Sequence, residues 1–181
     1  MRYAQIRSTD ISNGEGIGVS LFVQGCPFHC KGCFNSETWD FNGGEQWTTD
    51  KLNKFILLAG QPFVKRISIL GGEPLCRENL SEVLSLVKEI RSAFPQKNIW
   101  LYTGFTWEGI IHPAITDDFN PERDLTMVLR KQVVHNIDIL VDGRYEENER
   151  DLSLAFRGSR NQRIIDVQKS IKQGKVVLYM E

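Results

Sequence analysis

Three cysteines lie within eight consecutive residues in the first fifth of the chain. Cys26, Cys30 and Cys33 follow a Cys-x3-Cys-x2-Cys spacing. Thiolates are soft ligands that select zinc, copper(I) or iron–sulfur clusters. A structural zinc site and an ordinary 4Fe–4S cluster each use four protein ligands. The remaining cysteine, Cys76, stands far along the chain, so a three-thiolate site would leave one iron open to a substrate or cofactor.

Two other uses of these cysteines stay open at this point. His29 or Cys76 could complete a zinc site, although the chain has no second Cys/His pair at zinc-finger spacing. Disulfides are disfavoured, because we find no signal peptide and no apolar run near the ~20 residues that a membrane span requires. We therefore expect a cytoplasmic protein, without a membrane partner, whose thiols stay reduced.

The balance of charges argues against some classes of partner. Lysine and arginine together number 22, and aspartate and glutamate 23. This balance gives no electrostatic footprint for nucleic acid or an anionic membrane, so we expect neither. Hydrophobic residues make up 41% of the 181 residues, which is enough for a real core. We expect residues 1–181 to form one domain.

Strands and helices alternate along the predicted chain. Short apolar runs predict strands, and apolar residues spaced three and four apart predict helices. The expected strands cover 1–6, 19–23, 66–70, 98–102, 137–141, 163–167 and 175–179. The expected helices cover 51–59, 79–94, 107–111 and 121–135.

Three local details accompany these elements. Thr49 is expected to cap the first helix, and Asn79 with Glu82 resembles a capping box for the second. Four apolar residues of the helix over 121–135 are expected to face the core: Leu125, Val128, Leu129 and Val133.

Alternating strands and helices predict right-handed βαβ units with a parallel sheet. A closed eightfold barrel usually takes about 250 residues. We therefore expect an α/β fold, with an open, incomplete (β/α) barrel and a mostly parallel sheet. Working loops in such folds lie at the carboxyl ends of strands. Four polar loops that follow expected strands should meet on one rim, namely 26–33, 71–74, 103–104 and 142–143.

The motifs also carry a family resemblance. Cys26, Cys30 and Cys33, followed later by Gly-Gly-Glu-Pro at 71–74, resemble the radical S-adenosylmethionine (SAM) enzymes. Further stretches make the chain similar, over nearly its whole length, to the activating proteins of anaerobic (class III) ribonucleoside-triphosphate reductases. These stretches cover 10–16, 20–26, 33–40, 140–145 and 156–166.

The resemblance implies a radical SAM domain that holds a 4Fe–4S cluster on Cys26, Cys30 and Cys33. SAM would chelate the fourth iron, and reductive cleavage of SAM would generate a 5′-deoxyadenosyl radical. That radical would abstract hydrogen from a glycine of the partner protein. The implied partners are the large subunit of the anaerobic ribonucleoside-triphosphate reductase and a reduced flavodoxin or ferredoxin as electron donor.

The Gly-Gly-Glu-Pro turn is the expected site for the methionyl end of SAM. Gly71 and Gly72 let the backbone approach without a Cβ clash. Glu73 can accept a charge-assisted hydrogen bond from the ammonium group of SAM. Pro74 fixes the turn.

The backbone of Gly32, Cys33 and Phe34 is expected to border the adenine of SAM. The ring of Phe34 is either a packing surface for this ligand or an ordinary core residue. His29 is expected to be an exposed loop residue and Cys76 a free thiol.

Two features have no single expected role. Asp142, at a strand end, could bond SAM or orient a loop. The arginine-rich stretch 157–163 could be a solvated face or contact SAM or the protein substrate.

Three alternative functions stay open on the sequence. An activase of pyruvate formate-lyase or another glycyl-radical enzyme would share the cysteine loop and the chemistry. A radical SAM enzyme acting on a small molecule would do so as well. A non-catalytic zinc-binding interaction module would share only the cysteines.

Overall fold

The computed structural model describes residues 1–113 and 120–180. The strands in this part of the chain are β1 (Arg2–Asp10), β2 (Gly18–Val23), β3 (Glu45–Gln46), β4 (Arg66–Gly71), β5 (Asn98–Tyr102), β6 (Ile139–Asp142), β7 (Arg163–Asp166) and β8 (Leu178–Met180). The helices are α1 (Thr49–Ala59), α2 (Arg77–Ala93), α3 (Trp107–Ile111), α4 (Pro121–His135) and α5 (Val167–Gln173). Short 3-10 turns lie at Ser36–Thr38 and Glu147–Glu149.

All these strands belong to one open sheet, in the order β3-β1-β2-β4-β5-β6-β7-β8. The four central strands, β2, β4, β5 and β6, run parallel to one another. The strands on both sides of this centre pair in the antiparallel sense. The predicted α/β fold with an open sheet is therefore confirmed, but the sheet is mixed and its parallel part is confined to the centre.

Side chains of the central strands alternate between two apolar clusters. Along β5, Ile99 and Leu101 pack into the larger cluster, together with buried residues of all five helices. Trp100, between them, packs into a smaller cluster with Ile139, Val141 and Ile164. This alternation is the period of two that a strand imposes, and burial on both faces is typical of parallel strands. The helices therefore cover one face of the sheet, and the smaller cluster packs on the other face.

Two helix starts differ from the prediction. The cap of α1 is Thr48, whose hydroxyl accepts a hydrogen bond from Lys51 N, so the predicted cap Thr49 is wrong by one residue. The predicted capping box is also wrong, because α2 begins earlier, after Cys76. Asn79 lies inside that helix, and Glu82 accepts a hydrogen bond from the amino group of Met1.

The buried face of α4 is shifted toward its carboxyl end. Leu125 and Val128 are 59% and 51% exposed, so the prediction that they face the core is wrong. Val133 and Val134 are fully buried, and Leu129 packs against the core. The first half of α4 therefore extends beyond the packed layer, which periodicity alone cannot reveal.

The late part of the chain contains a helix that was not predicted. β7 ends at Asp166, and α5 begins at Val167, where a strand was expected to continue. The side chain of Asp166 accepts a hydrogen bond from Lys169 N and so caps α5. Within residues 1–113 and 120–180, no helix is long and apolar enough to cross a membrane.

Candidate functional site

A cavity of about 630 Å³ lies at the carboxyl ends of the central parallel strands. Its lining includes residues of the loops that follow β2, β4, β5 and β6, represented by Cys26, Gly71, Thr103 and Gly143. The predicted meeting of four polar loops on one rim is therefore confirmed. The volume lies within the roughly 300–1,000 Å³ typical of small-molecule sites.

The three clustered cysteines all line this cavity as half-buried free thiols. Burial raises the pKa of Cys26 to about 11 and also raises the pKa of Cys30. The backbone N–H of Asn35 donates a hydrogen bond to Cys33 Sγ over 3.4 Å. The thiolate is the form of cysteine that ligates metals.

Backbone hydrogen bonds fix the start of the cysteine loop to the segment that follows it. Gly25 N donates to Thr38 O over 2.8 Å, and Cys26 N donates to Trp39 O over 3.1 Å. Gly25 has a φ of +92°, and a Cβ at this position would stand 2.3 Å from the ring of Phe41. Glycine is therefore required immediately before the first cysteine.

Aromatic side chains hold the outer part of the cysteine loop. The ring of His29 stacks on Trp39 with 4.8 Å between centroids. Phe28 packs edge-on against Phe105 at 4.9 Å, and the guanidinium of Arg144 lies 4.3 Å from the centroid of the Phe28 ring. His29 thus contributes packing to the loop.

The turn after β4 packs backbone against backbone on the start of the cysteine loop. Gly72 N donates to Val23 O and Glu73 N donates to Gly25 O, each over 2.8 Å. A Cβ at Gly72 would stand 2.4 Å from the carbonyl oxygen of Gly25. The two loops therefore approach each other at a distance that only glycine permits.

Glu73 joins this turn to the loop after β5. Its carboxylate is buried and accepts hydrogen bonds from Leu75 N (2.8 Å), Thr103 Oγ1 (2.7 Å) and Gly104 N (2.7 Å). Burial raises the pKa of Glu73 to about 7, against the opposing effect of these donors. The three bonds leave acceptor capacity on Oε2, which bonds only Gly104 among these donors.

The segment 143–162, between β6 and β7, supplies the outer wall of the cavity. The ring of Tyr145 meets the ring of Phe34 at 5.3 Å, and Phe34 remains 53% exposed. Gln162 closes the segment on itself, since its Oε1 accepts from Gly158 N (2.9 Å) and its Nε2 donates to Gly143 O (3.0 Å). Phe34 is thus a rim residue rather than part of the core.

Asp142 and the arginines after it have mainly structural partners. The buried carboxylate of Asp142 accepts from Trp107 N over 2.7 Å and from Arg163, so it orients the loop that leads into α3. Arg160 pairs with Asp151. Arg157 is the one of these three arginines that lines the cavity.

Some of the remaining predicted site residues line the cavity, and others do not. Gly71, Gly72, Glu73, Cys33 and Phe34 line it, whereas Gly32 and Pro74 do not. The backbone of Gly32 faces Glu147, whose Oε1 lies 2.9 Å from where a Cβ would stand. Cys76 is buried at the start of α2, outside the lining.

Two lining residues were given no role by sequence reasoning, and a third was noted only as part of the stretch 157–163. Tyr102, Tyr145 and Arg157 each line the cavity and each carry a buried side-chain atom without a hydrogen-bond partner among residues 1–113 and 120–180. These atoms are Tyr102 OH, Tyr145 OH and Arg157 Nε. Buried polar groups normally have partners, so these groups suit a polar ligand. Tyr102 lies at the end of a predicted strand, and Tyr145 lies in the similar stretch 140–145. Arg157 lies in the stretch 157–163, for which contact with SAM or the protein substrate was one of the expected roles.

A 4Fe–4S cluster fits the donor set of the cavity better than a single ion does. In the described part of the chain, no group of three or more His, Cys, Asp or Glu side chains is gathered closely enough to hold one metal ion. The three thiols are separate donors on one wall, and a cluster takes one thiolate on each of three irons. A cofactor with amino, carboxylate and hydroxyl groups, such as SAM, would fit the unpartnered polar atoms.

The chain is similar to proteins of known function over most of its length. The family model described as "4Fe-4S single cluster domain" matches residues 12–165. The anaerobic ribonucleoside-triphosphate reductase-activating proteins of Salmonella typhi and of Escherichia coli K12 are each 37% identical to it over 164 residues, covering 90% of this chain and 96% of theirs. The protein of the same name from Enterobacteria phage T4 is 32% identical over 164 residues, covering 91% and 93%.

Proposed function

Because the chain belongs to the family of anaerobic ribonucleoside-triphosphate reductase-activating proteins, we propose that it is a radical SAM enzyme that forms a glycyl radical on such a reductase. The observation that carries this proposal is the shared cavity, in which the three cysteines face the turn of Gly71, Gly72 and Glu73. A 4Fe–4S domain is also what the family match describes, which favours iron–sulfur over the zinc-binding module.

Cys26, Cys30 and Cys33 are the proposed ligands of the cluster. When bound there, the cluster and SAM would supply one-electron cleavage of SAM to a 5′-deoxyadenosyl radical able to abstract hydrogen from a glycine. The cofactors carry this chemistry, and the protein supplies ligation, orientation and exclusion of water.

The chain's own residues would hold SAM from two sides. Gly71, Gly72, Glu73 and Pro74 form the proposed wall for its methionyl end, where glycines expose backbone groups and Glu73 offers the free acceptor capacity of Oε2.

On the other side of SAM, the backbone of Gly32, Cys33 and Phe34 forms the proposed border of the adenine. Gly32 acts by allowing the turn that places Cys33 and Phe34 at the cavity, because its φ is +73°. The rings of Phe34 and Tyr145 would shield the adenine from water.

The open sheet suits a macromolecular substrate. We propose that the chain is an incomplete barrel of the radical SAM type, with residues 1–181 as one domain, because β1 and β8 belong to the same sheet. An unclosed barrel leaves room for a loop of the reductase's large subunit to reach the cavity. A reduced flavodoxin or ferredoxin is the proposed electron donor, and the cytoplasm the proposed location.

The proposal is tested by mixing the purified protein with SAM, a reductant and one candidate partner under anaerobic conditions. We expect electron paramagnetic resonance to detect an organic radical on the anaerobic reductase, and none when SAM is omitted. Pyruvate formate-lyase serves as the matched alternative partner. A radical on the lyase but not on the reductase would overturn the assignment of the partner.

The cofactors are tested without any partner. Anaerobically reconstituted, dithionite-reduced protein should give a 4Fe–4S signal that changes shape when SAM is added. Cys26→Ala should remove this signal. Bound zinc with no iron or sulfide would overturn the enzyme assignment in favour of a metal-stabilised binding module.

A further inference from the structure

Asn79 lies in the first turn of α2 and reaches the backbone of two site loops with one side chain. It is only 2% exposed. Its Nδ2 donates to Gln24 O over 2.9 Å and to Glu73 O over 3.1 Å. Gln24 immediately precedes Gly25 and the cysteine loop, and Glu73 belongs to the turn after β4. A single amide group therefore bridges the two loops from outside the cavity.

Gln24 extends this bridge to the far end of the cysteine loop. Its own side chain is buried, and its Nε2 donates to Asp40 O over 2.8 Å and to Glu37 O over 3.2 Å. Both acceptors lie after the third cysteine. Asn79 therefore binds the backbone carbonyl of Gln24, and the side chain of Gln24 in turn binds the segment that follows the third cysteine.

We infer that Asn79 is a positioning residue that sets the spacing between the cysteine loop and the turn of Gly71–Pro74. This inference rests on the proposed function, because it concerns the site where SAM would touch both loops. Asn79 itself is not among the residues that line the cavity, so it acts through the backbone of Gln24 and Glu73.

Cluster assembly and SAM binding should depend on this bridge to different degrees. All three cluster ligands lie on the cysteine loop, which is also fixed by the bonds of Gly25 and Cys26 to Thr38 and Trp39. Cluster assembly therefore needs one loop only. SAM binding needs both loops at the correct separation, so losing Asn79 should weaken SAM binding more than cluster assembly.

Removing the amide should loosen the junction of the two loops, although the backbone bonds of Gly72 N to Val23 O and of Glu73 N to Gly25 O would remain. Glu73 O keeps a second donor in Cys76 N, but Gln24 O would lose the Asn79 amide in a buried setting, which is costly. The isosteric Asn79→Asp is a sharper change, because it places carboxylate oxygens against two carbonyl oxygens. Loss of a buried hydrogen-bond donor typically changes affinity by about tenfold.

The test compares Asn79→Ala and Asn79→Asp with the wild-type protein after anaerobic reconstitution. Iron and sulfide per chain report cluster assembly, and the SAM-dependent change in the spectrum of the reduced cluster gives the Kd for SAM. We expect cluster content within about twofold of wild type and a Kd raised by about tenfold or more.

Val87→Ala is the matched control for stability. Val87 is fully buried in the same helix, about two turns beyond Asn79 and outside the cavity lining. It should lower Tm while leaving the Kd for SAM unchanged. If Asn79→Ala raises the Kd no more than Val87→Ala does, Asn79 is structural only and the inference is overturned.

Two further outcomes keep the test decisive. If Asn79→Ala does not fold, Asn79→Ser, which keeps one donor, should raise the Kd by about threefold or more, and an unchanged Kd overturns the inference. If SAM leaves even the wild-type cluster signal unchanged, the proposed function itself fails, and that result is distinct from a failure confined to the Asn79 variants.

Discussion

At the scale of the residue, the surroundings of the four cysteines separate one thiol from the other three. Cys26, Cys30 and Cys33 line the cavity. Cys76 is buried at the start of α2, where burial raises its pKa to about 12. Burial raises the pKa of Cys26 as well, so access to the cavity, and not the pKa, separates Cys76 from the other three. The three thiols that line the cavity are therefore the ones that can lose their protons and bind iron.

Replacing one cysteine at a time should show this difference directly. Cys30→Ser should abolish the 4Fe–4S cluster, because it removes one of three thiolates that the cavity offers. Cys76→Ser should retain it. Iron and sulfide per chain after anaerobic reconstitution measure both. The reverse pattern, with the cluster lost in Cys76→Ser, would make Cys76 a ligand and refute the assignment.

Gly72 is predicted to tolerate no side chain. Gly72→Ala would put a Cβ 2.4 Å from the carbonyl oxygen of Gly25, so the cysteine loop and the turn must separate. We expect a loss of about 1–3 kcal/mol in the free energy of unfolding, measured by urea denaturation, together with weaker SAM binding.

A second glycine provides the control for Gly72. Gly109 is exposed in α3, and a Cβ there would meet only Thr106 Oγ1, at 3.3 Å. Gly109→Ala should change stability by about 1 kcal/mol or less, because helix propensity favours alanine. Equal effects of the two substitutions would contradict the close approach of the two loops.

Spacing within the sequence singled out the three cysteines and the Gly-Gly-Glu turn that line the cavity, because their pattern is local. It could not identify Asn79, which was assigned to a cap. The role of Asn79 depends on Gln24, 55 positions away, and on a helix that begins two residues earlier than expected. Partners that distant leave no periodic signal in a single sequence.

At the scale of the element, the loop 11–17 between β1 and β2 is anchored by a buried ion pair. Asp10 and Arg66 meet at 3.0 Å, with both side chains buried. Asp10 Oδ1 also accepts from the backbone N–H groups of Ser12 and Asn13. Ser12 and Asn13 line the cavity. The pair therefore connects the start of β4 to one side of the site.

The pKa of Asp10 gives this anchor a pH dependence. Burial alone would raise that pKa, but hydrogen bonds from Arg66 and Asn13 outweigh it and leave the pKa below its usual value. A lowered pKa in the folded state means that the stabilisation is complete above the unfolded-state value of about 4. It is lost as the pH falls through the folded-state pKa.

Asp10→Asn should therefore be less stable than wild type at pH 7, by about 3–5 kcal/mol, because Arg66 remains buried without a counter-charge. The difference should shrink below about pH 4, where wild type loses the same interaction. Urea denaturation at pH 7 and below about pH 4 measures this difference in the free energy of unfolding. Asp50→Asn, on an exposed residue of α1, is the control and should show little change. A difference that does not vary with pH would exclude this role of Asp10.

The central strands and most helices could be predicted because their apolar patterns are local. The direction of the edge strands could not be predicted from the sequence. β1 and β7 run antiparallel to their inner neighbours, and an apolar run reads the same in either direction. The helix α5 was missed because it has only seven residues and depends on the cap at Asp166.

At the scale of the whole molecule, the sheet gathers both ends of the described chain around an open cavity. The amino group of Met1 pairs with Glu82 of α2. Near the other end, Tyr179 OH donates to Glu15 on the loop 11–17 over 2.5 Å. These contacts join both ends of the described chain to the rest of the domain without closing the mouth of the cavity.

The open mouth predicts sensitivity to oxygen. A cluster with three protein thiolates keeps one iron without a protein ligand, and this cavity opens to solvent. On exposure to air, the visible absorbance and iron content of the reconstituted protein should fall. The loss should be slower with SAM present, because SAM would occupy the open iron. Unchanged absorbance and activity after exposure would argue against such a site.

The cysteine loop also has a consequence for the order of assembly. Its three thiols and the segment that fixes them all lie before residue 41, whereas the turn after β4, the loop after β5 and the wall at 143–162 come later in the chain. A ribosome therefore releases all three proposed ligands before the other walls exist. We expect metal loading to depend on this local stretch and binding of the proposed cofactor to require the finished sheet.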